Sequence, residues 1–512
     1  MRPIRNVVVV GGGTAGWLTA GVIAAKHKSR QPHGFTVTLV ESPDVPIIGV
    51  GEGTWPTLRT TLRRMGISET DLFRECEASF KQGARFNRWT TGKADDGYYH
   101  PLMLPQSFGQ VNLAQHWLSQ SDESFCDAVT PQGRICDAGL APKTIATPEY
   151  DALANYAYHL DAGKLSTFLR KHCTEQLGVR HVLANVTEAV LDQNGDIASV
   201  STREAGEIAG DLFVDCTGFH ALLIGKALDV PFKNCADTLF CDTALAVQIS
   251  YPDPDAPIAS HTISTAQSAG WIWDIGLPTR RGVGHVFSSA HISADDAERE
   301  LRAYLGPAGS DLPVRRLSIR AGHRETFWKR NCVAVGLAAG FLEPLEASAI
   351  VLIELSAKLI AEQMPACREV MDVVARRFNE TTSYRWGRII DFLKLHYALT
   401  RRTDSEFWRD NQRPETMPDR LRGLMELWRY HAPWTLDEFD RAEEVFPAAS
   451  YQYVLYGMGY STAVPAGTND ADAIMAGRAM RENAAQTQRM LTGLPRHRDL
   501  IRKVVDLGLP RI

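Results

Sequence analysis

The stretch Asn6-Val7-Val8-Val9-Val10-Gly11-Gly12-Gly13-Thr14-Ala15-Gly16 decides the fold of this chain. A short apolar, β-branched run followed at once by glycines predicts a buried strand that ends in a tight turn. The residues that follow, from Trp17 to Lys26, have a helical composition. The G-x-G-x-x-G spacing therefore falls at a strand–turn–helix junction, the context in which it predicts a dinucleotide-binding site.

Each glycine of this spacing has its own physical role. Gly11 makes the turn, Gly13 leaves room for a pyrophosphate, and Gly16 lets the helix pack closely on the strand. The helix N-terminus, which begins at Thr14 and Ala15, offers main-chain N–H groups to the phosphates. The same pattern therefore predicts both the fold and its ligand.

A second predicted strand, Phe35–Val40, ends in an acid. Glu41 lies 25 residues after Gly16, near the spacing at which such an acid binds a ribose hydroxyl. Strand, glycines, helix, second strand and acid agree on an α/β, Rossmann-like nucleotide-binding module. A glycine-rich turn arising by chance does not explain this combination.

Further glycine-rich segments favour FAD over NAD as the nucleotide. A second loop, Ile48–Pro56, lets main chain approach a flat ring, and its candidate ligands are Gly49, Gly51, Gly53 and Thr54. Two later strands, within Asp211–Gly218 and Asn331–Gly336, also end in glycine. Three further segments that can contact the same ligand suit FAD better than NAD. No second G-x-G-x-x-G unit is present in the sequence to bind a nicotinamide cofactor. Reduced flavin is therefore expected from a separate reductase.

Bulk composition excludes several classes of protein. The 512 residues are 44% hydrophobic and 22% charged, as in ordinary globular proteins. A net charge of −5 does not favour nucleic acid or an anionic membrane as a partner. Nine scattered cysteines without a C-x-x-C pair predict reduced thiols and no metal site. Because neither a signal peptide nor an 18-residue apolar run is evident, we expect a cytoplasmic protein.

The segment Trp271-Ile272-Trp273-Asp274-Ile275 predicts a strand with both indole rings on one face. Taken alone, such rings are most simply core aromatics. In a flavin protein, the segment resembles the W-x-W-x-I-P motif of the flavin-dependent halogenases, with Gly276 in place of proline and Pro278 two residues on. In that family the motif is credited with keeping the flavin chemistry apart from the organic substrate.

The resemblance also gives Lys81 a role. Ser68-Glu-Thr-Asp71 predicts a helix N-terminus, and the helical composition extends to Lys81. A lysine at a helix end is usually solvated and stabilises the helix dipole. However, Cys76-Glu-Ala-Ser-Phe-Lys81 resembles the family pattern Cys-x-Ala-x-Phe-Lys, whose lysine is essential. The resemblance implies that Lys81 is catalytic, since an ammonium can hold hypohalous acid or carry halogen as a haloamine.

A third segment, Gly340–Ile350, resembles the family pattern Phe-x-Glu-Pro-Leu-Glu-Ser-Thr-Gly-Ile. Two glutamates at a predicted helix start could simply complement the helix dipole. The resemblance implies that Glu346 is catalytic, orienting hypohalous acid or accepting the ring proton. It also implies halide binding by the main-chain amides of Ser348 and Ala349. Because Ala349 replaces glycine, bromide is expected more firmly than chloride.

The substrate is the least defined element. The segment Tyr98–Leu102 matches one that lines the indole pocket of the family through His100, but Leu102 replaces the aromatic residue that stacks on indole. Tyr451 and Tyr453 occupy the region that holds the amino-acid end of tryptophan, without the expected paired tyrosines and acid. Core packing explains these tyrosines equally well. The sequence therefore favours indole or a larger aromatic over free tryptophan.

These observations predict an FADH2-dependent halogenase that uses O2 and a halide, with a homodimer left open. Residues 1–365 are expected to form a flavin monooxygenase-like module, in which residues 235–325 are an antiparallel sheet insertion. Residues 366–512 are expected to be mainly helical and to lie on the substrate side. The alternatives are a flavin-dependent aromatic hydroxylase and a non-catalytic FAD-binding paralogue.

Overall fold

The computed structural model describes residues 3–45, 51–120, 122–434, 444–463 and 470–511. The candidate flavin ligand Gly49 lies outside these ranges. Two compact units are formed from alternating stretches of the chain. The first unit comprises Met1–Ala78, Leu160–Cys235 and Arg320–Trp386, and the second comprises Ser79–His159, Ala236–Ile319 and Gly387–Ile512.

The strands, numbered in chain order, are β1 Asn6–Val10, β2 Thr36–Glu41, β3 Gly51–Gly53, β4 Ser79–Lys81, β5 Gly83–Asn87, β6 Gly97–Pro101, β7 Ala157–Asp161, β8 Arg180–Leu183, β9 Val186–Leu191, β10 Ile197–Thr202, β11 Gly206–Ala209, β12 Leu212–Asp215, β13 Phe232–Asn234, β14 Thr243–Ser250, β15 Thr262–Ala266, β16 Gly270–Gly276, β17 Arg280–Phe287, β18 Arg315–Ser318, β19 Gly322–Arg324, β20 Trp328–Lys329, β21 Cys332–Ala334 and β22 Gly340–Phe341.

The α-helices are α1 Thr14–His27, α2 Thr57–Arg64, α3 Glu69–Cys76, α4 Leu113–Gln120, α5 Phe125–Val129, α6 Gln132–Asp137, α7 Ala162–Glu175, α8 Ala294–Leu305, α9 Ser348–Glu362, α10 Arg368–Ala398, α11 Glu406–Asn411, α12 Asp419–Leu427, α13 Ala448–Gly457, α14 Asp470–Gly493 and α15 His497–Leu507. Short 3-10 turns at Gly218–His220, Gly336–Ala338 and Leu345–Ala347 lie between them.

The first unit contains the predicted nucleotide-binding module. Among the described residues its main sheet has the order β20-β21-β12-β1-β2-β8, and only the β20–β21 pair is antiparallel. Strand β1 is fully buried over Val7–Val10, and helix α1 packs between the sheet and helices α7 and α9. The α/β fold class predicted from the first forty residues is confirmed.

The second unit is built on a mixed sheet with the order β18-β14-β17-β16-β15-β5-β6 in the described residues. Helix α8 covers one face, where Leu301 and Leu305 join Ile272 and Val283 in an apolar core. Because side chains alternate along a strand, the neighbours of Ile272 on β16 lie on the opposite face. The predicted strand at residues 271–275 is therefore confirmed, with both indoles on one side.

The antiparallel sheet expected within residues 235–325 is present but does not stand alone. Strands β14 to β18 pair antiparallel, and the sheet then continues through a parallel β15–β5 pair to β6, from residues 83–101. The chain passes from the first unit to the second at residue 386, inside helix α10. The compact units thus do not divide at residue 365.

One expectation about Lys81 is wrong. The helix predicted to run to Lys81 ends at Cys76, and Glu77 adopts a left-handed conformation with φ 49° that stops it. Lys81 instead lies on strand β4, paired with β7. Pairing with a distant strand outweighs the helical preference of the local residues. The predicted helix start at Ser68 is confirmed, since its hydroxyl accepts from the amide of Asp71.

The described residues show neither a membrane-spanning helix nor a metal-binding cluster. No helix in the described ranges is long and apolar enough to cross a membrane. Nor do the residues described include a group of three or more His, Cys, Asp or Glu side chains arranged to hold a metal ion.

Candidate active site

The glycine-rich turn after β1 has the geometry expected of a pyrophosphate cradle. Gly11 has φ 117°, and a Cβ there would lie 2.2 Å from the carbonyl oxygen of Cys216. A Cβ on Gly16 would lie 1.8 Å from the oxygen of Gly11. By contrast, a Cβ on Gly13 would meet no atom within 4 Å. Glycine is therefore required by close packing at two positions, whereas Gly13 borders open space.

The start of helix α1 is available to an anion. Its N-cap is Gly13, so no side chain satisfies the first helical N–H groups, which begin at Thr14 and Ala15. Such a helix end favours phosphate through its exposed amides and its dipole. Gly336, with φ 67°, approaches the same helix, since a Cβ there would lie 2.7 Å from that of Ala15. The first unit thus brings these predicted residues together.

Glu41 lies beside the same turn at the end of β2. A Cβ on Gly12 would lie 2.2 Å from the Cγ atom of Glu41, so the acid packs directly against the glycine loop. His181 places its Nε2 atom 2.7 Å from Oε2 of Glu41. This position suits the ribose-binding role expected of Glu41, and His181 was not identified from the sequence. Gly11, Gly13, Gly16, Glu41 and the α1 amides fit the adenine-nucleotide half of FAD.

The second glycine-rich loop carries an unusual acid. Gly51 and Gly53 flank Glu52 on the short strand β3, and Thr54 is fully buried. Burial, together with the nearby Asp161 carboxylate, raises the pKa of Glu52 to about 7. This carboxyl is therefore about half protonated near pH 7, where an ordinary glutamate is ionised.

Glu346 and the residues after it form a strained turn before helix α9. Glu343 and Glu346 were expected at the start of a helix. Both instead precede helix α9, which begins at Ser348. Glu346 has φ 61° and Ala347 has φ 55°, a left-handed conformation that is rare for residues other than glycine. The indole N–H of Trp55 donates to the carbonyl oxygen of Glu346 at 2.8 Å.

The predicted halide ligands occupy the first turn of α9. Ser348 and Ala349 are its first two residues, and their N–H groups lack acceptors within the helix. The residue before them, Ala347, has no side chain that could cap the helix. A helix of 15 residues with an uncapped start offers amides and a favourable dipole to an anion. Replacement of glycine by Ala349 leaves both amides in place.

In the second unit, Lys81 is 3% exposed on β4. The register pairs Ser79 with His159 and Lys81 with Ala157. Because Ser79 and Lys81 share a face, His159 is the diagonal neighbour of Lys81. Burial lowers the pKa of His159 well below its usual value, and the charge of Lys81 lowers it further. Lys81 therefore lies in a dry site beside a neutral imidazole.

A second buried histidine supports the same strand. The Nε2 atom of His497 accepts from the amide of Phe80 at 3.1 Å, and its Nδ1 atom lies 3.0 Å from the carbonyl oxygen of Ile258. These two bonds require a neutral ring that is protonated on Nδ1. Burial lowers the pKa of His497 to about 4, in agreement with that state.

The tryptophan strand is tied to β4 and closely packed. The hydroxyl of Ser79 donates to the carbonyl oxygen of Gly276 at 2.6 Å. Trp271 and Trp273 have ring centroids 6.5 Å apart, and a Cβ on Gly284 would lie 2.1 Å from the ring of Trp273. Both rings are therefore fixed, with 1% and 6% of their surface exposed.

The residues expected to contact substrate belong to one aromatic cluster of the second unit, formed by His100, Phe392, Phe446, Tyr451 and Tyr453. His100 bonds Ser450 through its Nε2 atom at 2.9 Å, and Phe392 stacks on Phe446 with centroids 3.7 Å apart. The hydroxyl of Tyr453 donates to the carbonyl oxygen of Met103 at 3.0 Å. Tyr451 is fully buried against Phe392. Phe392 lies on α10 and carried no sequence signal.

Comparison with known proteins gives this arrangement a family. The sequence model described as tryptophan halogenase matches residues 6–472. The chain belongs to the tryptophan halogenase family. Its enzyme class, predicted from the tryptophan strand, Lys81 and Glu346, is thereby confirmed as that of the flavin-dependent halogenases.

Individual members of the family match almost the whole chain. The crystal structure of a tryptophan halogenase from Shewanella frigidimarina is 46% identical, with a TM-score of 0.97, and the match covers 100% of this chain and 99% of that one. A flavin-dependent halogenase from Brevundimonas sp. BAL3 is 33% identical, with a TM-score of 0.86 and coverage of 98% and 99%. The 7-chloro-L-tryptophan 6-halogenase of Kutzneria sp. (strain 744) is 34% identical over 98% of this chain and 100% of its own length.

Proposed function

We propose that this protein is an FADH2-dependent halogenase that uses O2 and bromide or chloride to halogenate an electron-rich aromatic ring such as indole. The observation that carries the proposal is the burial of Lys81 on β4, within a strand that is bonded to the tryptophan strand through Ser79 and Gly276. Burial of an ammonium is costly, and in this chain Lys81 combines that burial with a place on the strand bonded to the tryptophan strand.

FAD is proposed to bind along the first unit. The pyrophosphate would lie over Gly13 and the α1 amides, the ribose near Glu41, and the flavin ring near Gly51, Gly53, Thr54 and Gly336. Gly49, which lies outside the described residues, stays a flavin ligand predicted from the sequence. Bound reduced FAD supplies, with O2, the two-electron oxidation of halide to hypohalous acid. A separate flavin reductase would deliver FADH2. We place the enzyme in the cytoplasm, where reduced flavin is made.

Lys81 is proposed to control the electrophile. Its ammonium would hold hypohalous acid by hydrogen bonding beside the aromatic ring. Alternatively, its neutral amine would take the halogen from hypohalous acid, with the N–halogen bond forming as the O–halogen bond breaks and water leaves. The dry surroundings of Lys81 strengthen either interaction, since electrostatic effects grow as water is excluded. The neutral imidazole of His159 adds no competing cation.

Glu346 is proposed to accept the proton that the ring loses after halogen adds, or to orient hypohalous acid. The amides of Ser348 and Ala349 would bind the halide. Because Ala349 carries a Cβ where the family has glycine, bromide is proposed as the preferred halide over chloride.

Trp271 and Trp273 are proposed to keep the flavin chemistry apart from the organic substrate. Rings that are packed as tightly as these exclude water and cannot swing aside. This separation would favour halogenation over direct hydroxylation of the ring.

Indole, or a larger aromatic that carries no free amino-acid end, is the proposed substrate. The hydroxyl of Tyr453 is already bonded to Met103, and Leu102 stands where the family has an aromatic residue. His100 would line the ring pocket. A second candidate is free tryptophan, because relatives such as the Kutzneria enzyme are named as tryptophan halogenases.

The decisive assay combines the purified protein, a flavin reductase, bromide or chloride, and either indole or L-tryptophan, with products identified by mass spectrometry. Bromoindole formed faster than bromotryptophan supports the proposal, and the reverse favours the second candidate. Hydroxyindole formed equally well without halide would identify a hydroxylase instead. FAD binding without turnover of any ring would identify a non-catalytic paralogue.

A further inference from the structure

The loop before helix α2 holds the turn that contains Glu346. Trp55 donates its indole N–H to the carbonyl oxygen of Glu346 at 2.8 Å, across 291 residues of sequence. The turn places Glu346 (φ 61°, ψ 10°) and Ala347 (φ 55°, ψ 41°) successively in the left-handed region. Two such residues in a row persist only where their surroundings hold them.

Two further bonds join the helix that follows Trp55 to helix α9. The hydroxyls of Thr57 and Thr61, on α2, donate to the two carboxylate oxygens of Glu354 on α9, at 3.0 and 2.7 Å. Glu354 is 3% exposed, and burial raises its pKa despite both bonds. Helices α2 and α9 are thereby joined side by side, so the indole of Trp55 meets the turn at the N-terminal end of α9.

The turn sets the direction of three groups, namely the carboxylate of Glu346 and the main-chain amides of Ser348 and Ala349. The carbonyl that accepts from Trp55 belongs to Glu346 itself, and the next two peptide groups lead into the amides of Ser348 and Ala349. Rotation of the Glu346–Ala347 pair out of the left-handed region would turn the carboxylate and re-aim both amides. The hydrogen bond from Trp55 therefore lies at the peptide group on which the direction of the whole segment depends.

We propose that Trp55 is a positioning residue of the halogenase, whose indole N–H holds the Glu346–Ala347 turn in the conformation that binds halide. This inference rests on the proposed function, because it requires the amides of Ser348 and Ala349 to bind halide. Trp55 follows Gly51–Thr54 directly, so the proposed flavin loop and the halide turn are connected through one side chain.

The test removes the N–H and keeps an aromatic ring. In Trp55→Phe, the KM for bromide is expected to rise about tenfold, as for loss of one hydrogen bond, while kcat changes less. The dissociation constant for FAD, measured by flavin fluorescence, should stay within about twofold of wild type. In crystals soaked in bromide, the anomalous peak at the Ser348 and Ala349 amides should weaken.

Trp117→Phe is the matched control. Trp117 also donates its indole N–H to a main-chain oxygen, that of Glu123 at 2.8 Å, in the second unit. This variant should keep the wild-type KM for bromide. If Trp55→Phe does not fold, β-(3-benzothienyl)alanine at position 55 retains the shape of the two fused rings without the N–H and provides the same comparison.

The outcomes separate the two levels of inference. A wild-type bromide peak at the two amides, with an unchanged peak and KM after loss of the Trp55 N–H, overturns the role of Trp55 and leaves the proposed function intact. A wild-type protein that forms no halogenated product and shows no bromide at these amides overturns both. A selective rise in the KM for bromide, with weakened bromide density, supports the role.

Discussion

The hydroxyl of Ser79 donates a 2.6 Å hydrogen bond to the carbonyl oxygen of Gly276. This bond joins the strand of Lys81 to the end of the strand that carries Trp271 and Trp273. Two sequence motifs of the family, 190 residues apart between Lys81 and Trp271, are thus held together within one unit. The strand of the lysine and the strand of the tryptophan pair are therefore bonded directly to each other.

Replacement of Ser79 by alanine tests this link. Because the Gly276 carbonyl would lose a buried donor, the unfolding free energy should fall by about 1–3 kcal/mol. The halogenation kcat should also fall, since β4 would be less firmly placed. Urea titration and product assay give the two quantities. Ser119→Ala, which removes an exposed hydroxyl bonded to His116, should change neither; equal losses in both variants would contradict the link.

Two glycines of the first turn should respond differently to alanine. A Cβ at Gly16 meets the oxygen of Gly11, so Gly16→Ala should lower the melting temperature of the FAD-free protein. A Cβ at Gly13 meets no protein atom within 4 Å, so Gly13→Ala should melt like wild type but bind FAD at least about tenfold more weakly. Tight FAD binding by Gly13→Ala would place the pyrophosphate elsewhere.

Close packing explains why glycine occupies position 276, where the family motif has proline. A Cβ there would lie 2.8 Å from Ile258 and 3.0 Å from the hydroxyl of Tyr251. Gly276→Ala should therefore cost about 1–3 kcal/mol of stability, as overpacking typically does. The cost should shrink in an Ile258→Ala background, where space is available. Equal costs in both backgrounds, measured by urea titration, would exclude this explanation.

The carboxyl of Glu52 should make stability depend on pH. Folding raises its pKa from 4.5 to about 7, so the folded protein binds the proton more tightly. The stabilisation from this group is complete below pH 4.5 and is lost as pH rises through 7. Glu52→Gln should therefore melt at a higher temperature than wild type at pH 8, and the difference should vanish near pH 4.5. The exposed Glu75→Gln serves as the control; a difference that does not vary with pH would refute the prediction.

Local patterns predicted much of this molecule. The run Asn6–Val10 and the glycines after it fix β1, the turn and α1 through short-range sterics. The alternation around Ile272 fixes β16 in the same way. The residues that line the nucleotide cradle could be predicted from these elements, because the end of a strand and the start of a helix define the place of the pyrophosphate.

Features that depend on distant pairing could not be predicted. Residues 72–81 favour helix locally, yet Ser79–Lys81 is a strand because it pairs with Ala157–His159. Phe392 contacts the aromatic cluster because of the path that helix α10 takes past it, which the local sequence does not determine. Trp55 and Glu346 are adjacent in space but 291 residues apart in sequence, and no periodicity links them. Left-handed residues such as Glu346 likewise carry no sequence signal unless they are glycine or asparagine.

The most direct measurement compares wild type with Lys81→Met for bromination of indole, supplied with FADH2, O2 and bromide and followed by mass spectrometry. We predict a bromine isotope doublet from wild type and at least about a hundredfold slower product formation by Lys81→Met, as for loss of an essential catalytic group. FADH2 oxidation should continue at the wild-type rate in the variant. Bromoindole formed at wild-type speed by Lys81→Met, or hydroxyindole formed by wild type without bromide, would contradict a lysine-directed halogenase.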